Sequence, residues 1–173
     1  MVEMLADGTG MERRKGARHI WFLNSAFDRI GMDIAVRRVA ERPARQPFAY
    51  VVTPNVDHLV RLETDTVLAR LYAQAWLTVC DSRVLELLGR ASGEDIEVTP
   101  GSDLTRHLFE NEIDPDDAIN VVGGSRDVIE AVRERYGLNN LRWHEPPMWL
   151  RDKRGAIGEC AEGGASNPGR VTF

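Results

Sequence analysis

Short apolar runs alternate with amphipathic stretches along almost the whole chain, and this order is what most restricts the fold. The runs are His19 to Leu23, Phe48 to Val52, Leu77 to Cys80, Ile96 to Thr99, Ala118 to Val122, Leu141 to His144 and Val171 to Phe173. Their length and β-branched content suit strands. Between them, apolar residues at helical spacing predict helices over Asp33 to Glu41, Val56 to Ala75 with a break near Thr64-Asp65, Ser82 to Gly89, Asp103 to Asn111, Arg126 to Tyr136 and Lys153 to Cys160. Parallel strands joined by crossover helices are the usual solution to such an order. The expected class is therefore α/β: a single domain with a Rossmann-like, mostly parallel sheet flanked by helices.

The polar and Gly/Pro-rich residues are not spread evenly over this pattern. They stand just after the strands: Thr53-Pro54-Asn55, Cys80-Asp81-Ser82, Thr99 to Asp103, Val122 to Ser125 and His144 to Pro147. In an open α/β sheet the C-terminal strand ends lie along one edge, where ligands bind. The chain thus gathers its candidate chemistry where a site is expected.

Composition narrows the function. The chain has 173 residues, 43% hydrophobic and 28% charged, which suits one globular domain. A formal net charge of −5 argues against nucleic acid as a partner, since gripping phosphates needs a basic surface. Of the 22 basic residues only Lys15 and Lys153 are lysines, and arginine suits bidentate contact with carboxylate or phosphate. Cys80 and Cys160 form neither a disulfide framework nor a zinc-type cluster, which fits a reducing cytoplasm. The polar opening, residues 1–17, reads as a flexible leader before a domain spanning 18–173. The "IWFL" that follows the leader is too short for a signal core or a membrane span.

Each stretch has two readings. Thr53 or Asn55 can cap the helix that follows, stiffened by Pro54, or can hydrogen-bond a polar substrate. Asp81 can cap a helix and gain from its dipole, or can accept a proton from a sugar or alcohol hydroxyl as general base. Arg83 and Arg90 suit a solvated helix face or a phosphate clamp. Gly101-Ser102-Asp103 and Gly123-Gly124 open helices whose free amides could cradle a diphosphate, yet neither forms a dinucleotide or Walker fingerprint. Asp114 to Asp117 resembles an Asp-x-Asp cation signature but precedes its strand, at the opposite edge, and reads as a solvated turn. His19, His58 and His107 are scattered while His144 sits at the candidate edge, and no pair has catalytic-triad or metal-ligand spacing.

Taken in order, "VVTPNVDHLVRL", "LTVCDSRVLELLGR", "VTPGSDLTRHLF", "INVVGGSRDVIEAVRERYGLNNLRWHEPPM" and "GRVTF" resemble the WecG/TagA/CpsF family of bacterial glycosyltransferases, from about His19 to the end. The resemblance implies inverting transfer of a hexose, often of N-acetylmannosamine type, from a UDP-sugar to a sugar on a polyprenyl-diphosphate lipid. Such transfer builds cell-surface polysaccharide and exopolysaccharide, without a metal or other cofactor. It makes Asp81 the general base, with Thr53 and Asn55 as substrate contacts. Gly101, Ser102, Asp103, Gly123 and Gly124 then approach the nucleotide diphosphate. The setting it implies is cytoplasmic, with room for peripheral contact at the inner face of the cell membrane.

The chain also departs from the family pattern. Many members have Asp-Gly where this chain has Asp81-Ser82, and an arginine near the place held here by Glu97 and Val98, so the leaving-group arginine is either missing or supplied by another residue such as Arg83 or Arg90. The family continues the "RVTF" strand into a Pro-(Lys/Gln)-Gln-Glu segment, whereas this chain stops on the strand. A C-terminally truncated family domain is the resulting expectation. Two alternatives follow: a non-catalytic or truncated remnant that keeps the fold without turnover, and a dinucleotide-dependent oxidoreductase, disfavoured by the missing glycine fingerprint. A chain ending on a strand also leaves room for a homo-oligomer built through an exposed edge.

Overall fold

The computed structural model describes residues 19–43, 46–146 and 170–173. It opens on a hairpin of β1 (His19–Phe22) and β2 (Ser25–Asp28), antiparallel with His19 opposite Asp28 and Phe22 opposite Ser25. The two linking residues, Leu23 and Asn24, have φ of 45° and 61°, the positive pair that a tight two-residue hairpin turn requires. This corrects the expectation of one parallel strand over His19 to Leu23. The second strand carries Phe27, which has no exposed surface, and Asp28, whose buried carboxylate accepts the Thr78 amide at 3.0 Å.

After α1 (Met32–Ala40) come β3 (Val51–Val52), α2 (Val56–Leu62), α3 (Thr66–Ala73) and β4 (Leu77–Thr78), and β3 and β4 run parallel. Their ladder extends past the regular strands. The Val79 amide donates to the Val52 carbonyl at 3.0 Å, and the Thr99 amide to the Cys80 carbonyl at 2.7 Å. The strand expected over Ile96 to Thr99 reduces to one parallel bridge, Val98 with Cys80. That expected over Phe48 to Val52 shrinks to two residues. Phe48 is 88% exposed, with its ring 6.0 Å from that of Tyr50.

Alternation along the strand sorts the helices into two layers. Leu77 and Val79 pack with Ala35 and Val36 of α1 and with Leu104 and Leu108 of α5 (Gly101–Asn111). Cys80 faces the other way, into a cluster with Phe27, Leu59 and Leu62 of α2, and Leu85 of α4 (Arg83–Ala91). Helix α3 lies on that second side, through Leu68, Ala69 and Tyr72.

A three-stranded parallel sheet completes the described fold, in the order β6 (Leu141–His144), β5 (Ile119–Val122), β7 (Val171–Thr172). Ile119 pairs with Leu141 on one side and Val171 on the other, and α6 (Arg126–Tyr136) covers it through Ile129. Phe109 of α5 packs its ring on Tyr136 and Phe173, so α5 reaches from the first core into the second. The result is the expected α/β class with mostly parallel pairing. The leader at residues 1–17 and the helix expected at Lys153 to Cys160 lie outside the described residues.

Candidate active site

Three turns leave the first sheet side by side. Thr53-Pro54-Asn55 follows β3, Asp81-Ser82 follows β4, and Pro100-Gly101 follows the Val98 bridge. Direct contacts tie them together. The Asp81 amide donates to the Pro54 carbonyl at 3.0 Å. Thr53 lies over Gly101 so closely that a Cβ built there would meet Thr53 Oγ1 at 2.9 Å and its Cγ2 at 3.3 Å. Thr53 is β-branched and has few rotamers to retreat into. Gly101→Ala is therefore expected to cost about 1–3 kcal/mol through overpacking. In urea denaturation the double variant with Thr53→Ala should recover part of that loss, and strict additivity of the two changes would contradict the contact.

Asn55 does two things at once. Its Oδ1 accepts the His58 amide at 3.1 Å, while its own amide donates to His58 Nδ1 at 3.4 Å, a reciprocal cap on α2. Its side-chain Nδ2 has no partner among the described residues and is left to donate elsewhere. The Asp81 carboxylate likewise has no hydrogen bond or ion pair among the described residues. Ser82, not Asp81, caps α4, through Oγ accepting the Leu85 amide at 3.3 Å. The two readings of Asp81 separate here, because its carboxylate does no capping.

Helices α2, α3 and α4 begin on a side-chain cap, whereas α5 and α6 do not. Helix α1 also lacks one, but the Glu97 carboxylate already lies against Gly31 at its start. The first amides of α5 and α6 thus remain directed at whatever sits beyond them. The turn into α6 needs both glycines, with φ of 98° at Gly123 and 74° at Gly124. It is fastened to β6 by the Gly123 amide donating to the His144 carbonyl and by Trp143 Nε1 donating to the Gly123 carbonyl, each at 2.9 Å. No hydrogen bond or ion pair among the described residues joins this turn to the first three.

The model of the glycosyl transferase WecG/TagA/CpsF family matches residues 20–157, which include every one of these turns. The chain belongs to that family. No curated protein matches it.

Within this WecG/TagA/CpsF member, several charged residues near the edge are already engaged. Glu86 is buried and held from both sides, by Arg83 at 3.1 Å and Arg90 at 2.9 Å. Both guanidiniums stay largely in solvent, so one carboxylate fixes two arginines on α4. Asp103 accepts from Arg106 at 3.0 Å on the surface, which leaves its backbone amide as its offer to an anion. Burial, with the nearby Asp81 and Glu86 charges, pushes the Cys80 thiol above its ordinary value, and the thiol donates to the Ser82 carbonyl at 3.4 Å. In the Asp114 to Asp117 turn, Asp117 accepts the Asp114 amide and Asp116 accepts from Asn139. Two residues that shape this edge were not singled out from sequence as part of it: His58, whose signal was the Asn-x-x-His cap spacing, and Glu86, whose signal was an acid three and four residues from two arginines.

A pocket of about 330 Å³ lies elsewhere, lined by His19, Trp21, Ser25, Asp28, Tyr72 and Thr78 among others. None of the candidate residues borders it. Of its polar groups, Asp28 Oδ2 accepts the Thr78 amide, and Asp28 Oδ1 lies 3.5 Å from His19 and 3.6 Å from Arg38. Family membership and the uncommitted Asp81 carboxylate favour the sheet edge as the site.

Proposed function

We propose that this family member transfers a hexose of N-acetylmannosamine type, or a related sugar, from a UDP-sugar to a sugar carried on a polyprenyl diphosphate, inverting the anomeric centre. The observation that carries this reading is the Asp81 carboxylate, free of partners among the described residues and bonded through its backbone to the Thr53-Pro54-Asn55 turn. The acceptor hydroxyl oxygen attacks the anomeric carbon, forming one C–O bond as the bond to the UDP oxygen breaks. The proton passes to Asp81, and UDP departs with the bonding electron pair from the opposite face. Thr53 and the Asn55 Nδ2 hold the reacting sugars. The amides of Gly101, Ser102 and Asp103 at the start of α5, and the Gly123-Gly124 turn before α6, meet the charge of the leaving diphosphate. Arg83, fixed by Glu86, supplies the guanidinium near that end of α4.

Asn55 separates this reading from simple capping. Asn55→Ala should cost a cap, about 0.5–2 kcal/mol of stability, and lower kcat/KM by roughly tenfold or more. Asn55→Asp keeps the capping oxygen but loses the amide donor. It should melt near wild type and still lose transfer. Full activity in a labelled-sugar transfer assay with Asn55→Asp would remove Asn55 from the substrate contacts.

A further inference from the structure

A side-chain amide can read a substrate only if it is fixed which of its two ends faces outward. At Asn55 the residue that fixes it is His58. The His58 backbone amide donates to Asn55 Oδ1 at 3.1 Å, and so leaves Nδ2 as the end that can meet a ligand. In return the Asn55 amide donates to His58 Nδ1 at 3.4 Å. This second bond ties the extended backbone of Asn55, with φ of −114° and ψ of −175°, to the first turn of α2.

Glu or Gln is the usual residue to reach back in such an exchange. Here a ring does it, and Nδ1 accepts only while the imidazole is neutral with its proton on Nε2. The ring is held in turn by α3, where Tyr72 meets it edge-on with centroids 6.0 Å apart. Tyr72 itself packs against the cluster that contains Leu59, Leu62 and Leu85. His58 thus joins two separable parts, a ring that packs and a nitrogen that accepts. The Pro54 carbonyl, one residue before Asn55, accepts the Asp81 amide, so the backbone that His58 steadies is also the one bonded to the candidate base.

We infer that His58 is a positioning residue for transfer: its Nδ1 holds the Asn55 backbone so that Nδ2 meets an acceptor oxygen of the UDP-sugar at a fixed place relative to Asp81. The inference rests on the proposed role of Asn55 in binding that sugar.

Two substitutions separate the parts. His58→Phe keeps a ring for Tyr72 but has no acceptor, whereas His58→Gln gives up the ring and supplies an oxygen that can reach the Asn55 amide. In a labelled-sugar assay on the full chain, His58→Phe should raise KM for a UDP-N-acetylhexosamine by roughly three- to tenfold, as for loss of one hydrogen bond. His58→Gln should stay within about twofold of wild type. A smaller folded fraction alone would lower apparent kcat and leave KM unchanged. In the Asn55→Asp background His58→Phe should add less than about twofold, because the donor it positions is gone. Hydrogen exchange at the Asn55 amide reads the bond without substrate, and should be faster in His58→Phe than in His58→Gln. Unchanged KM in His58→Phe, equal losses in the two variants, a full further loss in the Asn55→Asp background, or equal exchange at Asn55 would each overturn the inference. If exchange responds as expected while Asn55→Asp keeps the wild-type KM, the bond stands and the reading of Asn55 as a substrate contact is what fails, taking the positioning role with it.

Discussion

Asp81→Asn is expected to lower transfer by roughly 10²- to 10⁴-fold, the usual contribution of a positioned general base. Asparagine has nearly the shape of aspartate but cannot take the acceptor proton at neutral pH. The fold has little reason to respond. The Asp81 carboxylate bonds to no described residue, and the bond from its backbone amide to Pro54 survives the change. Stability should stay within about 0.5 kcal/mol of wild type, as for surface changes away from caps and buried pairs. Turnover of a labelled UDP-sugar and a thermal melt read the two quantities separately. Unchanged turnover would remove Asp81 as the base, and a large loss of stability would return it to a structural role.

Phe27→Ala should do the opposite. Phe27 has no exposed surface and shares its cluster with Ile20, Leu59, Leu62 and Leu85, so it ties the opening hairpin to α2 and α4. Truncating such a ring costs about 3–5 kcal/mol through lost transfer energy and the cavity left behind. Against a total stability of about 5–15 kcal/mol this is a large share. The midpoint should fall by roughly 6–20 °C at about 2–4 °C per kcal/mol for a chain of this size. A fall of only a degree or two would mean the hairpin is not integral to the core. Molecules that remain folded should still transfer sugar, because Thr53, Asn55, Asp81 and Gly101 lie outside the Phe27 cluster.

These two residues also mark what could be read from the sequence. The place of Asp81 at the end of a parallel strand was legible because it directly follows an apolar run, and that edge is where α/β proteins commonly bind ligands. The break between α2 and α3 was legible as well, since Asp65 caps α3 by accepting the Val67 and Leu68 amides. Phe27 sits in a strand that periodicity did not reveal. Its hairpin turns on Leu23-Asn24 without a glycine, and its ends, Ser25 and Asp28, are polar yet buried. Strand length was overstated at Phe48 because a run of apolar residues does not say whether anything covers it. Local spacing shows which residues share a helix face. It does not show that Glu86 is buried while both of its arginines remain in water.

The central claim is that the edge formed by Thr53, Asn55, Asp81 and Gly101 receives a UDP-sugar. Calorimetric titration of the full chain with UDP-N-acetylhexosamines, with NAD as the comparison, tests it most directly. Saturable UDP-sugar binding is expected, weakened in Asn55→Asp at unchanged stability, with no heat from NAD. Binding of NAD alone, or UDP-sugar binding untouched by Asn55→Asp, would contradict it.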